Sequence, residues 1–477
     1  MLEGGPTRSP DLPRGPPVDA TTQERLQRRL AELCGDAVPG AVVALTDGET
    51  VVEVAHGLAN LRTRMPVTTD TVFQIGSISK VFTATLVMAL VDQGKVDLDA
   101  PVRSYLPDFT VSSAEASEGV TVRHLLCHTA GFEGDDFTDT GRGDDALRLY
   151  VDQLADAAQI HPLGAMFSYC NSGFSILGRI VEAVTGTTWD TAVRTMISTP
   201  LGSSTLATLP EEVILRPHAV GHLELPGPDG ENALQVAPLY APPRSVGPAG
   251  TVHGTAADLL AFGRLHVRDG VADDGSQVLS AASVKAMQQE QVVLDDPWVL
   301  GRAWGLGWIL PVEGVVGHDG ATFGQFAFYR LHPETGTAMA LLTNGPGARA
   351  VYETLFAEFF GPLCGVELPR TAVPSPRPPA ISDPARYVGT YERHEVRLDV
   401  ALREDGDLDL TVSPLGPTAL LAGPPAPVRL VGFDGDTLVT AEPAGSGVHL
   451  TAHFIVPEGA ARAEWIHVGA RATRRTS

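Results

Sequence analysis

Phe73-Gln74-Ile75-Gly76-Ser77-Ile78-Ser79-Lys80 lies where an extended segment, residues 71–75, gives way to a helical one, residues 81–93. A serine and a lysine three apart at a helix start share one face, a turn from each other. The lysine can then touch the serine hydroxyl, and the helix N-terminus adds positive potential. A serine oxygen is a poor nucleophile until a neighbour takes its proton. Lysine is otherwise scarce here: only Lys80, Lys95 and Lys285 occur, and arginine fills the remaining basic positions. Ser79, between the pair, reads as support for the helix start.

Working outward, residues 21–34 carry Leu26, Leu30 and Leu33 at helical spacing and stop at Gly35. Residues 41–46 and 49–55 are apolar runs joined by Asp47-Gly48, a hairpin signal. Residues 81–93 read as a buried central helix with Gly94 as its stop, and 122–127 as a second, short one. Residues 131–247 are loop-rich with helical islands such as 176–184. Residues 305–310, 314–318, 325–331 and 338–343 read as short strands, followed by a helix over 352–360. A mixed sheet built from both ends of this segment, with the helical stretch between, accounts for the order.

Residues 368–382 form a proline-rich linker, stiff and extended. Beyond it, short alternating strands over 395–402, 408–412, 428–431, 437–440, 449–455 and 463–468 predict a small antiparallel barrel. The expected division is therefore a disordered tail over 1–19, a mixed α/β domain over 20–367, the linker, and a barrel domain over 383–477.

Composition excludes several functions. Hydrophobic residues make up 43% of the 477, enough for a substantial core. A formal net charge of −23 argues against nucleic acid or an anionic membrane as partner. No apolar run is long enough to span a membrane, and the Pro-, Gly- and Arg-rich N-terminus lacks the apolar core of a signal peptide. With Met1 as the true start, the protein is expected in the cytoplasm. Cys34, Cys127, Cys170 and Cys364 are scattered and read as free thiols. His124 and His128 stand four apart on a helix, but no glutamate completes an HExxH pattern, so a structural role is favoured over metal. No GxSxG occurs, which leaves an α/β-hydrolase unsupported.

Acyl transfer needs a proton shuttle and an oxyanion site beside Ser77 and Lys80. Tyr169-Cys170-Asn171 and His318-Asp319-Gly320 are the candidates. Strand alternation puts His318 and Gly320 on one face and Asp319 on the other. Asn171 also reads as a cap for a helix beginning near Ser172, and both roles stay open. Cys170 reads as a small buried filler.

SxxK, then YxN, then HxG, with the stretches TVRHLLCHTAGF, FSYCNSGF, GPAGTVHGTAADLLAF and GHDGATFGQFAF, resembles the serine hydrolases that group class C β-lactamases, DD-peptidases and related esterases. The resemblance spans residues 20–365 and implies a β-lactamase-like mixed sheet with a helical subdomain. It implies Ser77 as nucleophile, Lys80 as its activator and Tyr169 as general base and acid. Asn171 would hold Lys80 or the substrate amide, and backbone N–H groups of Ser77 and Ala321 would form the oxyanion hole, with Gly320 allowing close approach of substrate. No metal and no cofactor are implied.

His-Asp-Gly stands where β-lactamases carry Lys-Thr-Gly, which turns the reading towards esterases, D-amino-acid peptidases and peptide-cyclising thioesterases. The linker and a lipocalin-like barrel, opening with Tyr387-Val388-Gly389-Thr390-Tyr391, are similar to penicillin-binding-protein-type thioesterases. These release nonribosomal peptides from a carrier and close them head to tail. The substrate expected is thus a peptidyl thioester or ester, with a peptidyl carrier protein as a further partner. Arg471, near the C-terminus, is by position able to reach the cleft and bind a substrate carbonyl or carboxylate; taken alone, it reads as a solvated terminal arginine. The alternatives are a cytoplasmic esterase, amidase or D-stereospecific peptidase of the same family and, in a different class, a catalytically silent penicillin-binding or sensor protein.

Overall fold

Every residue of the strand Gly40–Thr46 is buried, because both faces of its sheet are covered. Val42 and Ala44 face one core; Ala41, Val43 and Leu45 face another. A period-two strand covered on both sides must be apolar throughout. The computed structural model describes residues 17–227, 232–415, 425–444 and 447–477. Residues 1–16 of the expected disordered tail lie outside them.

The central sheet has nine strands. In spatial order they are Met65–Pro66, Val51–Asn60, Gly40–Thr46, Thr337–Thr343, Phe326–His332, Val316–Ala321, Ile309–Leu310, Ala303–Trp304 and Val292–Val293. The two ends of the segment meet in mid-sheet, where Ala41 pairs with Thr343. The architecture is the expected mixed α/β one, and every described pairing within this sheet is antiparallel. Helices Ala20–Leu33 and Ala348–Leu355 cover one face. On the other lie Ala256–Val267 and the central helix Ser79–Asp92, buried from Ser79 to Leu90.

Several local expectations are corrected. Residues 305–310 are not one strand: Gly307, at φ +84°, turns the chain between Ala303–Trp304 and Ile309–Leu310. A Cβ on Gly307 would come 2.6 Å from that of Ala84 on the central helix. The stretch read as loops with helical islands also contains a hairpin, His222–Pro226 with Asn232–Val236. Residues 228–231 between its strands lie outside the described residues. The first helix ends at Leu33 on an extended Cys34, not on a glycine cap.

No helix or strand occurs from 365 to 383, although Ala372 is buried against Val431 and Val439. Beyond it, eight antiparallel strands close a barrel. Tyr391, Leu398, Leu410, Leu430, Phe454 and Ile466 fill its interior. Two strands that the alternation pattern did not reveal, Gly389–Arg393 and Arg471–Arg475, pair with each other and close it. Among the described residues no helix is long and apolar enough to cross a membrane.

Candidate active site

Ser77 is the one partly open residue in the otherwise buried stretch 71–80. It sits in a 3₁₀ turn, Gly76–Ile78, that leads into the central helix. The Ser79 hydroxyl pins this turn, donating to the Gly76 carbonyl at 2.6 Å and accepting from the Val252 N–H at 2.9 Å. Lys80, fully buried, then points back under Ser77. Its Nζ donates to Asn171 Oδ1 and to the Ala249 carbonyl, both at 2.7 Å, and lies 3.2 Å from Ser77 Oγ. Burial pushes the Lys80 ammonium well below its ordinary value, and the Arg471 charge pushes it further.

Tyr169 closes the other side, its phenol beside the Ser77 side chain. Burial raises its pKa, so it is a neutral phenol. Lys80 Nζ lies 4.8 Å from the ring centroid. Asn171 does not cap its helix. It is the first residue of Asn171–Thr185, and the Cys170 thiol takes the cap, accepting from the Gly173 N–H at 3.3 Å. Cys170 is thus more than a filler, and the Asn171 side chain is left to Lys80.

His318 lies on the strand Val316–Ala321, 1% exposed, with Trp304 edge-on at 5.4 Å between ring centres. Its Nδ1 is 2.6 Å from the Asp319 carbonyl oxygen, which can only accept. Nδ1 therefore carries the proton, and Nε2 presents a lone pair. Nε2 is buried and has no hydrogen-bond partner among the described residues. Burial lowers the His318 pKa to about 3, helped by Lys80, so the ring is neutral. Asp319 points the other way, onto Arg330 at 2.6 Å.

The strand seats directly on the nucleophile turn. A Cβ on Gly320 would fall 1.9 Å from the Ile75 carbonyl oxygen and 3.0 Å from the Ser77 nitrogen. One on Gly76 would fall 2.6 Å from the Ala321 nitrogen. The two glycines thus bring the N–H groups of Ser77 and Ala321 to adjoining backbone.

Arg471 is not a solvated terminal residue. It opens the last barrel strand, 26% exposed, with its guanidinium 4.9 Å above the Tyr169 ring centre. It forms an ion pair with Asp135. The neighbouring backbone is stitched to the Tyr169 segment: the Tyr169 N–H donates to the Ala470 carbonyl at 3.0 Å, and the Ala472 N–H to Ser168 Oγ at 3.1 Å.

Asp135 escaped sequence reasoning, and His128, read as a structural residue on a helix, lies beyond the helix Val122–Leu126. Asp135, in the loop after Gly131, accepts from Asn171 Nδ2 at 2.7 Å. No motif marks it; it lies among several acidic residues. His128 stacks on Tyr169 at 4.4 Å between ring centres, and its Nδ1 accepts the Cys170 N–H at 2.9 Å. Its left-handed backbone, φ +58°, takes it off the helix and is invisible in sequence. His124 instead closes a capping box with Thr121.

The Beta-lactamase family model matches residues 18–358. Penicillin-binding protein 4 of Amycolatopsis lactamdurans is 47% identical over 75% of this chain and 93% of its own. Esterase EstB of Burkholderia gladioli is 31% identical over 51% of this chain and 67% of its own. The solved structure of SurE superposes with a TM-score of 0.76 at 29% identity, over 96% of this chain and all of its own. SurE with D-Leu superposes at 0.73 and 30% identity over the same shares, 96% and 100%. The chain belongs to the β-lactamase family, as a serine hydrolase of the β-lactamase and penicillin-binding-protein type.

Proposed function

We propose that this serine hydrolase is a penicillin-binding-protein-type thioesterase that takes a peptidyl group from a thioester and closes it head to tail. Arg471 is the observation that carries the reading. A barrel residue lies over the Tyr169 ring, so the second domain forms part of the acyl-enzyme's surroundings. A roof of this kind helps exclude water and orient an amine.

The roles follow from proton bookkeeping. A neutral Lys80 commits two N–H groups to the Asn171 and Ala249 carbonyls, which leaves its lone pair for the Ser77 hydroxyl. Ser77 Oγ attacks the thioester carbonyl and its proton passes to Lys80. The oxyanion is held by the N–H groups of Ser77 and Ala321. The C–S bond breaks, and Tyr169 relays the proton from Lys80 to the departing thiolate. The peptide's own amine then attacks the ester and loses a proton through Tyr169 to Lys80. The amide forms and Ser77 Oγ–H is restored.

His318 sharpens the choice of acceptor. A lysine at this position would be a cation suited to a substrate carboxylate. His318 Nε2 is a neutral acceptor instead, suited to an N–H of the incoming amine. The remaining N–H groups of Arg471 are available to a substrate carbonyl. A peptidyl carrier protein is the natural donor of the thioester. A chain of charge −23 repels acidic carriers, so a small mimic of the carrier arm is the substrate to try.

The second reading is an esterase, amidase or D-stereospecific peptidase, in which water takes the acyl group. It is supported by the likeness to EstB and by the structure of SurE with D-Leu. Incubating the protein with a peptidyl thioester and weighing the products separates the two. Cyclic peptide, lost in Ser77→Ala, is expected; linear acid alone sinks cyclisation and leaves the hydrolytic reading. An inert Ser77 in intact-mass experiments with an activated ester would sink both and favour a silent binding protein.

A further inference from the structure

The Asp135 carboxylate touches both the Asn171 side chain, which holds Lys80, and two arginines of the barrel. Its Oδ1 accepts from Asn171 Nδ2 at 2.7 Å and from Arg471 Nη2 at 3.2 Å. Its Oδ2 accepts from Arg393 Nη1 at 3.1 Å and pairs with Arg471 Nε. Arg393 ends the first barrel strand and Arg471 begins the last, so the seam that closes the barrel supplies both. Glu133 holds the loop from the other side. Its Oε1 accepts the N–H groups of Gly134 and Asp135, and its Oε2 accepts the His394 N–H at 2.9 Å.

A carboxylate can only accept, so Asp135 decides which way the Asn171 amide is turned. The NH₂ must face Asp135, and the carbonyl must then face Lys80 at 2.7 Å. Were the amide reversed, Lys80 Nζ would meet a donor, and the lone pair aimed at Ser77 would lose its orientation. The two arginines balance the negative charge of Asp135 within a buried site, where an unbalanced charge is felt strongly.

We propose that Asp135 is a positioning residue that couples barrel docking to the nucleophile: the barrel's Arg393 and Arg471 hold Asp135, Asp135 orients Asn171, and Asn171 orients Lys80. This rests on the reading that Lys80 is the base. The site is then complete only with the barrel seated, so acylation and an enclosed acceptor site arise together.

The coupling predicts opposite effects from its two ends. Lys80 is faced by Asp135, Arg471, Tyr169, Cys170, His128 and His318. Asp135→Asn removes a negative charge from this set and leaves two arginines unbalanced. The acid limb of Ser77 acylation, set by protonation of Lys80, moves to lower pH by about one unit. Arg393→Gln touches none of Ser77, Lys80, Tyr169 or Asn171, removes a positive charge, and moves the same limb to higher pH by a fraction of that.

The test measures the rate of Ser77 labelling by a fluorophosphonate against pH, in the full chain, with thermal melts alongside. Limb shifts of opposite sign support the coupling. No shift, or shifts of one sign in both variants, overturns it, because simple loosening of the barrel has no reason to depend on the sign of the charge removed. Should Asp135→Asn not fold, Arg393→Gln and Arg393→Lys decide: restoration of the wild-type limb by lysine supports the coupling, and an unmoved limb in Arg393→Gln overturns it. Lys80→Ala separates the underlying reading. Labelling at the wild-type rate in that variant removes Lys80 as base and this inference with it. A loss of about 10²-fold or more leaves the two other variants to judge the inference alone.

Discussion

The nucleophile's half of the site and the half brought by the barrel are held by different forces. Ser77, Lys80, Tyr169, Asn171 and His318 sit on elements embedded in apolar cores. Phe82 stacks on Phe262 behind the central helix at 4.1 Å, and Phe174 is fully buried behind Asn171. The barrel meets this body largely through polar groups. Trp465 Nε1 donates to the Ile160 carbonyl at 2.9 Å, Thr451 Oγ1 to Asp296 at 2.5 Å, and the arginines reach Asp135. Apolar contact across the same boundary includes Ala470 and the Trp298–Phe433 ring pair. Close packing positions groups to a fraction of an ångström. Hydrogen bonds and ion pairs specify orientation at little net gain in stability. The chemistry is therefore rigidly held, and its roof is joined to it through a few polar contacts, those at Asp135 among them.

Tyr169→Phe tests the rigid half and has the largest effect. It deletes the hydroxyl beside Ser77 and leaves the ring between His128 and the two cations in place. A fall in kcat of about 10²- to 10⁴-fold is expected, with the melting temperature nearly unchanged. Retained turnover would remove Tyr169 from the proton path and leave Lys80 to shuttle alone. His318, held at about 3, stays neutral down to pH 4 and adds no limb to the profile above it. The acid limb of the wild type is therefore expected from Lys80, which burial lowers.

Gly320→Ala comes next and tests the seam between the sheet and the nucleophile turn. Its Cβ meets backbone, the Ile75 carbonyl at 1.9 Å, which cannot swing aside. Strand and turn must separate, at about 1–3 kcal/mol, and the two N–H groups separate with them. Acylation by an activated ester should fall at least about tenfold, measured together with a chemical melt. An unchanged rate would place the oxyanion elsewhere.

This contrast also explains what was legible in the sequence. Ser77 and Lys80 are readable because helix geometry relates residues three apart without any tertiary knowledge. His318 and Gly320 follow from strand alternation in the same way. Asn171 was ambiguous between capping and Lys80 because the competitor for the cap, the Cys170 thiol, is an unusual acceptor. Asp135 and the seat of Arg471 were beyond local patterns. They depend on the pairing of Tyr391 with Arg475, far apart in sequence, and on a loop whose carboxylate has meaning only when the barrel arrives. The 305–310 segment misled for a related reason: its apolar alternation runs through a turn that exists because Gly307 packs on Ala84.

Trp465→Phe probes the barrel's half with the smallest expected effect. The indole N–H is lost while most of the ring's packing stays, and the Ile160 carbonyl on the hydrolase side is left without this donor. That costs about 1 kcal/mol, confined to the boundary, since Trp465 projects outward from a strand whose Ile466 faces the barrel interior. Labelling of Ser77 by a small fluorophosphonate should stay within about twofold of wild type, because Asp135 keeps both of its arginines and nothing in the Ser77–Lys80–Tyr169 set changes. The fate of a peptidyl acyl-enzyme should move more: a looser roof admits water, and the ratio of cyclic peptide to linear acid falls. Equal losses in labelling and in that ratio would mean that the coupling through Asp135 extends to the Trp465 contact. A fall in the ratio alone would assign the barrel to the choice of acceptor.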